Sequence, residues 1–127
     1  MPFQNRVLIA DDNRDGADML AHLLRAWGCA VSVAYDGQQA LDVAASFVPG
    51  IAILDINMPV LDGYAVARSL RSHSDAVFLV AHTGAPEWET ARRATEAGFD
   101  LHLAKPVAWS AHEHMFRGAQ PRRPLAR

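Results

Sequence analysis

The chain has 127 residues, 50% of them hydrophobic, and a formal net charge of -2 at pH 7. This length is typical of one domain with one core. The small negative charge creates no field that would attract nucleic acid or an anionic membrane surface. Cys29 is the single cysteine, which excludes an intramolecular disulfide and a cysteine-based zinc site. Because every apolar run is far shorter than the ~18 residues of a membrane span, we expect a cytoplasmic protein.

Short apolar runs alternate with helical patterns along the chain. The runs are apolar on both faces, as buried parallel strands must be, and the segments between them carry apolar residues at helical spacing. In chain order, the sequence predicts a strand at 7–10, a helix ending at Gly28, a strand at 30–34, a helix capped by Asp36, a strand at 51–54, a helix from Tyr64, a strand at 77–81, a further helix, and a strand at 101–103. This alternation predicts a doubly wound α/β fold with one five-stranded parallel sheet.

The pattern weakens after residue 106. Residues 1–107 are predicted to form the core of the domain and residues 108–119 a short, atypical last helix. Gly118, Pro121 and Pro124 disfavour any continuation of that helix, so residues 120–127 are predicted to be a disordered tail.

Polar side chains stand at the carboxyl ends of four predicted strands. Asp11 and Asp12 end the first strand, Asp55 ends the third, Thr83 follows the fourth and Lys105 follows the fifth. In an open parallel sheet, ligands bind at this edge, where the strand order reverses. With the strand order 2-1-3-4-5, the first and third strands are neighbours, so the three acids are expected to lie together.

Three carboxylates in one place repel one another, and a hard divalent cation commonly offsets that repulsion. Mg²⁺, or Mn²⁺ in its place, is the expected cofactor. Because Mg²⁺ often completes its shell with phosphate oxygens, the cluster implies a phosphorylated substrate. Lys105 would supply a positive charge and Thr83 a hydrogen bond to the phosphoryl oxygens, and an aspartate can itself act as the nucleophile.

These motifs together resemble the receiver domain of two-component signalling. The likeness covers roughly residues 6–107 and rests on the segments Leu8-Ile9-Ala10-Asp11-Asp12-Asn13, Leu54-Asp55-Ile56-Asn57-Met58-Pro59, Asp62-Gly63-Tyr64, His82-Thr83-Gly84 and Ala104-Lys105-Pro106. It implies a flavodoxin-like fold and a phosphoryl group transferred from a histidine kinase or histidine phosphotransfer domain. A downstream protein target is a further expected partner, and the chain is expected not to be an enzyme.

The resemblance also assigns roles to individual residues. Asp55 is the implied phosphoacceptor, Asp12 a direct metal ligand and Asp11 a metal-site acid acting through water. The backbone carbonyl of Asn57 completes the protein ligands. Thr83 is the implied switch hydroxyl and Lys105 the phosphate-binding cation. A cis bond is implied before Pro106.

The segment 98–106 is more particular, since it is similar to receivers attached to hybrid sensor kinases. His102 stands where most receivers have Tyr or Phe, the ring that moves inward when the domain is phosphorylated. The segment after Val107 departs from the long amphipathic fifth helix of the family, so a short or degenerate fifth helix is expected.

Three other functions compete with this interpretation. Asp11, Asn13, Asp15 and Gly16 match the first half of a calcium loop, but His22 stands where that loop needs a bidentate Glu. An aspartyl-phosphate phosphohydrolase would share the nucleophile, the metal and the lysine, but Asn57 cannot act as its second acid. A degenerate receiver used only as a binding module is the third. The histidines are scattered along the chain, except that His112 and His114 form a small polar cluster with Glu113. Without a third convergent ligand, this cluster is not expected to bind a metal.

Overall fold

The computed structural model describes residues 6–84, 87–105, 107 and 109–118. Five strands alternate with five helices over these residues. In chain order they are β1 Arg6–Ala10, α1 Arg14–Ala26, β2 Ala30–Ala34, α2 Gly37–Phe47, β3 Ile51–Asp55, α3 Gly63–His73, β4 Phe78–Thr83, α4 Glu87–Ala97, β5 Leu101–Ala104 and α5 Trp109–Gly118. The predicted alternation of strands and helices is therefore confirmed.

The strands form one parallel sheet in the order β2-β1-β3-β4-β5. The sequence-based prediction of a five-stranded doubly wound sheet is confirmed by this order. Asp55 lies opposite His82 in the register between β3 and β4, and Thr83 lies opposite Ala104 in the register between β4 and β5. The carboxyl ends of the strands therefore meet at one edge.

Each face of the sheet buries its own apolar cluster. One cluster joins β1, β3 and β4 to α2, α3 and α4 through residues such as Leu8, Leu54 and Leu79. The other joins the opposite sheet face to α1 and α5, with Ile53 and Leu24 at its centre. Alternate residues of each central strand serve different clusters, which explains why these strands are apolar throughout.

Helix ends follow the predicted capping chemistry. The Asp36 side chain accepts a hydrogen bond from the backbone N–H of Gln39, so Asp36 caps α2 as predicted. The first helix ends beside Gly28, whose φ of 102° suits a residue without a side chain. Asp62 caps α3 in the same way as Asp36 caps α2.

The last helix packs onto α1. The Trp27 ring meets the rings of Trp109 and Phe116 edge to face, with centroids 5.6 and 5.7 Å apart. Met115 of α5 is buried in the cluster between these helices and the sheet. The tail at 120–127 lies outside the described residues, so its predicted disorder stays a prediction, as does the boundary at residue 107. Within the described residues, every helix is too short or too polar to cross a membrane.

Candidate functional site

The predicted polar residues converge at the carboxyl edge of the sheet. Backbone hydrogen bonds fix the segments that carry them: Asp11 donates to the carbonyl of Ala34, and Lys105 donates to the carbonyl of Thr83 at 2.7 Å. These bonds extend the strand pairing by one residue beyond β1 and β5. The backbone of both residues is consequently fixed by pairing with the sheet.

Asp11, Asp12 and Asp55 form the acidic centre of this edge. Each offers a carboxylate oxygen, and the three oxygens lie within 4.8 Å of one another. The side chain of Asp55 is only 6% exposed, that of Asp11 is 13% exposed, and Asp12 is exposed. A set made of oxygen donors alone fits a hard cation such as Mg²⁺. The predicted clustering of the acids is present.

Lys105 joins two of these acids. Its Nζ lies 3.1 Å from Asp11 Oδ2 and 3.3 Å from Asp55 Oδ1. Desolvation alone would lower the pKa of Lys105, but the hydrogen bond to Asp11 and the charge of Asp55 outweigh it and raise that pKa. The lysine therefore stays protonated and offsets part of the carboxylate charge.

Asp55 is the most perturbed acid of the cluster. Burial raises its pKa from 3.8 to about 6, and the charge of Asp11 acts in the same direction. Lys105 and the backbone N–H of Asn57, which lies 3.3 Å from Asp55 Oδ1, oppose the rise. An ionised Asp55 is thus short of compensating positive charge, which is what a bound cation would supply.

Tight backbone packing holds the segment after Asp55 in place. The N–H of Ile56 donates to the carbonyl of His82, and the N–H of Gly63 donates to the carbonyl of Ile56. A methyl group on Gly63 would lie 2.8 Å from the Cα atom of Ile56, so only glycine permits this approach. The start of α3 therefore packs closely against the end of β3.

The other predicted site residues have different surroundings. Thr83 is buried and is the last residue of β4, which continues two residues beyond its predicted end at Ala81. His102 is half-buried on β5, and Asn57 is exposed beside Asp55. The predicted cis bond at Pro106 lies outside the described residues.

Sequence reasoning missed one feature next to this site. His82 of β4 and His112 of α5 are 30 positions apart in the chain, yet their Nε2 atoms lie 3.2 Å from each other. Both residues are buried. Burial lowers the pKa of His82 to about 4, and the nearby His112 and Lys105 act in the same direction. His82 begins the segment His82-Thr83-Gly84 on which the family resemblance partly rests, but nothing in the sequence linked it to His112.

Comparisons with known proteins agree with this arrangement. The family described as the response regulator receiver domain matches residues 7–116. The response regulator MprA of Mycolicibacterium vanbaalenii is 38% identical over 103 residues, which are 81% of this chain and 45% of that protein. MprA of Mycobacterium tuberculosis is 37% identical over the same length and shares. The chain therefore spans less than half the length of these curated relatives.

Solved structures share the fold. A CheY-like receiver domain protein from Methanospirillum hungatei has a TM-score of 0.83 at 22% identity, covering 88% of this chain and 90% of that one. A response regulator from Burkholderia pseudomallei has a TM-score of 0.81 at 26% identity, covering 88% of this chain and 66% of that one. The latter structure contains a phosphorylated aspartic acid, a calcium ion and citrate.

Proposed function

The chain belongs to the response regulator receiver domain family, and on this basis we propose that Asp55 accepts a phosphoryl group from a histidine kinase or histidine phosphotransfer domain. One observation carries the assignment to Asp55. Asp55 is the buried acid of the cluster, and its Oδ1 atom lies 3.3 Å from Nζ of Lys105, the only lysine of the chain. The B. pseudomallei response regulator, which has a phosphorylated aspartic acid in the same fold, supports the proposal.

The transfer is a substitution at phosphorus. A carboxylate oxygen of Asp55 forms the new P–O bond while the P–N bond to the donor histidine breaks, and the leaving imidazole keeps the electron pair and takes a proton from solvent. Lys105 then exchanges its bond to Asp55 for one to a phosphoryl oxygen, because the ester oxygen of the acyl phosphate is no longer charged. Thr83 can donate its hydroxyl hydrogen to another phosphoryl oxygen.

The acidic centre would hold Mg²⁺ or Mn²⁺ during this step. Asp12 and Asp55 would be direct ligands with the backbone carbonyl of Asn57, and Asp11 would act through water. The ion supplies positive charge to the phosphoryl oxygens when it is bound. The protein's own contribution is to hold the carboxylates on fixed strand ends, where their mutual repulsion favours cation binding.

The consequence of phosphorylation is a conformational signal rather than turnover of a substrate. We assign the switch to Thr83 together with His102, the ring on β5 that would move toward the threonine. A protein target reads the change, and the chain acts in the cytoplasm without being an enzyme itself. Membership of the receiver family favours this function over a phosphohydrolase or a degenerate binding module.

Phosphorylation with a small-molecule donor tests the assignment. The purified chain is incubated with acetyl phosphate and Mg²⁺, and intact mass spectrometry measures the added phosphoryl group before and after brief alkali treatment. One alkali-labile group is expected on the native chain and on Asp75→Asn, an exposed acid before β4 at the opposite edge of the sheet. None is expected on Asp55→Asn, and slower labelling is expected on Lys105→Ala. Undiminished labelling of Asp55→Asn would contradict the assignment.

A further inference from the structure

Two buried histidines line a cavity that Asp11 of the acidic centre also borders. His82 is 7% exposed and His112 is 4% exposed, and their ring centroids are 5.1 Å apart. His82 is the register partner of Asp55 across β3 and β4, whereas His112 belongs to the last helix. The pair is thus contributed by two separate elements and joins α5 to β4.

We propose that His82 and His112 form a second metal site, which takes a late first-row transition ion such as Zn²⁺, Ni²⁺ or Cu²⁺. The spacing of their ligand atoms supports this. Two nitrogen ligands at about 2.0–2.1 Å from Zn²⁺, separated by about a tetrahedral angle, lie roughly 3.3 Å apart. The two Nε2 atoms are 3.2 Å apart. The fold has therefore already brought both imidazoles to the separation that one shared ion requires.

The surrounding space can hold the remaining ligands. Both histidines line a cavity of about 500 Å³ that extends between α1 and α5. Two protein ligands leave further coordination positions, and this volume can accommodate the water molecules to fill them. Asp11 and Lys105 also border the cavity, and their charges offset each other through their 3.1 Å ion pair. A cation would thus not face an uncompensated positive charge.

The protonation state of the pair is compatible with ligation. Neutral imidazole is the ligating form, and burial disfavours the charged form of His82. In the hydrogen-bonded pair, one Nε2 atom carries a hydrogen and the other accepts it. When the ion binds, that hydrogen is replaced at Nε2 and Nδ1 of the same ring becomes protonated, so the charge of the pair does not change.

The proposed site differs chemically from the acidic centre. Asp11, Asp12 and Asp55 offer oxygen ligands, which suit Mg²⁺, whereas the histidine pair offers nitrogen ligands, which suit Zn²⁺, Ni²⁺ and Cu²⁺. The two sites can therefore be titrated separately. The inference does not depend on the proposed phosphoacceptor role, since it rests on the imidazole pair alone.

Zinc titration of the whole chain in excess Mg²⁺ tests the proposal. Calorimetry or a competing chromophoric chelator should show one equivalent of Zn²⁺ bound. Removing an outer partner of a ligand already weakens metal binding about 10- to 100-fold, so His112→Leu and His82→Leu should each weaken it at least about tenfold. His114→Leu is the matched control, because His114 lies on the same helix and is exposed. It should leave the affinity for Zn²⁺ unchanged.

Imidazole nitrogen NMR of the native chain supplies a measurement that needs no variant. Zn²⁺ should shift the Nε2 resonances of His82 and His112 and leave those of His22 and His73 in place. Three results would each overturn the proposal: no zinc binding in excess Mg²⁺, equal losses in His112→Leu and His114→Leu, or resonance shifts confined to the other histidines.

Discussion

The acidic centre should weaken the fold of the metal-free protein, and Asp55→Asn should relieve that effect. The pKa of Asp55 in the folded chain is raised from 3.8 to about 6. Such an acid contributes stability that is fully present below pH 3.8 and is lost as the pH rises through about 6. At about 1.4 kcal/mol per pH unit, the loss amounts to about 3 kcal/mol near neutral pH. This figure is an upper bound, because Asp12 beside it is exposed and solvent screens part of the interaction.

Asparagine has nearly the shape of protonated Asp55 and does not titrate. We therefore expect Asp55→Asn to raise the free energy of unfolding by up to about 3 kcal/mol above pH ~7, and by nearly nothing below pH ~4. Urea unfolding in the presence of a chelator, followed by circular dichroism at several pH values, measures this difference. Added Mg²⁺ should narrow this difference, by about 2.7 kcal/mol at 100 times its Kd, because only the native carboxylate set binds the ion well.

Asp75→Asn is the control for this comparison, since it removes the same charge at an exposed position. It should change the free energy of unfolding by less than about 0.5 kcal/mol at every pH. The reasoning is refuted if Asp55→Asn is no more stable than the native chain at neutral pH without metal. A gain that does not vary with pH would refute it as well, because only titration of Asp55 links the stabilisation to its ionised form.

Three further predictions concern other parts of the chain. Asp12→Ala should abolish Mg²⁺ binding in an NMR titration, because it removes a ligand. The variant should stay folded, because the remaining carboxylates repel each other less. Unchanged affinity would contradict the metal-site assignment. Val60→Gly should raise the free energy of unfolding by about 0.5–1 kcal/mol, because the φ of Val60 is 72° and a β-branched residue is strained there. In urea unfolding, the stability of Val60→Asn should lie between those of the native chain and Val60→Gly. A loss of stability in both variants would show that the backbone at Val60 is not strained. His102→Phe should enlarge the NMR shifts that beryllofluoride induces near Thr83, since a phenyl ring buries more apolar area; equal shifts at equal occupancy would argue against His102 as the moving ring.

The sequence predicted the acidic centre because each of its members stands at the carboxyl end of a buried strand. Parallel strands place their carboxyl ends at one edge, so Asp11 and Asp55 had to meet once the strand order was known. Lys105 follows β5 at the same edge and needs only its long side chain to reach the acids. In each case the polar residue was positioned by local sequence and by the topology of the sheet.

The histidine pair could not be predicted in this way. Its formation depends on how α5 lies on the sheet, which is set by the packing of Trp109, Phe116 and Met115 against α1 and the sheet. That packing joins residues far apart in the chain and leaves no local pattern. The strained backbone at Val60 was equally hidden, because its positive φ is imposed by the loop between β3 and α3 and not by the valine itself.

The charges at the carboxyl edge explain why metal binding and phosphorylation should depend on each other. Three carboxylates share a single ammonium group there, and Lys105 already divides its contacts between Asp11 and Asp55. On the proposed function, a phosphoryl group would bring additional negative charge to this centre, so a divalent cation that offsets the carboxylates should favour the acyl phosphate. By linkage, the phosphorylated chain would then bind that cation more tightly than the unmodified chain. Lys105 would contribute to this coupling, because its release from Asp55 leaves it available for the phosphoryl oxygens at the moment they arrive.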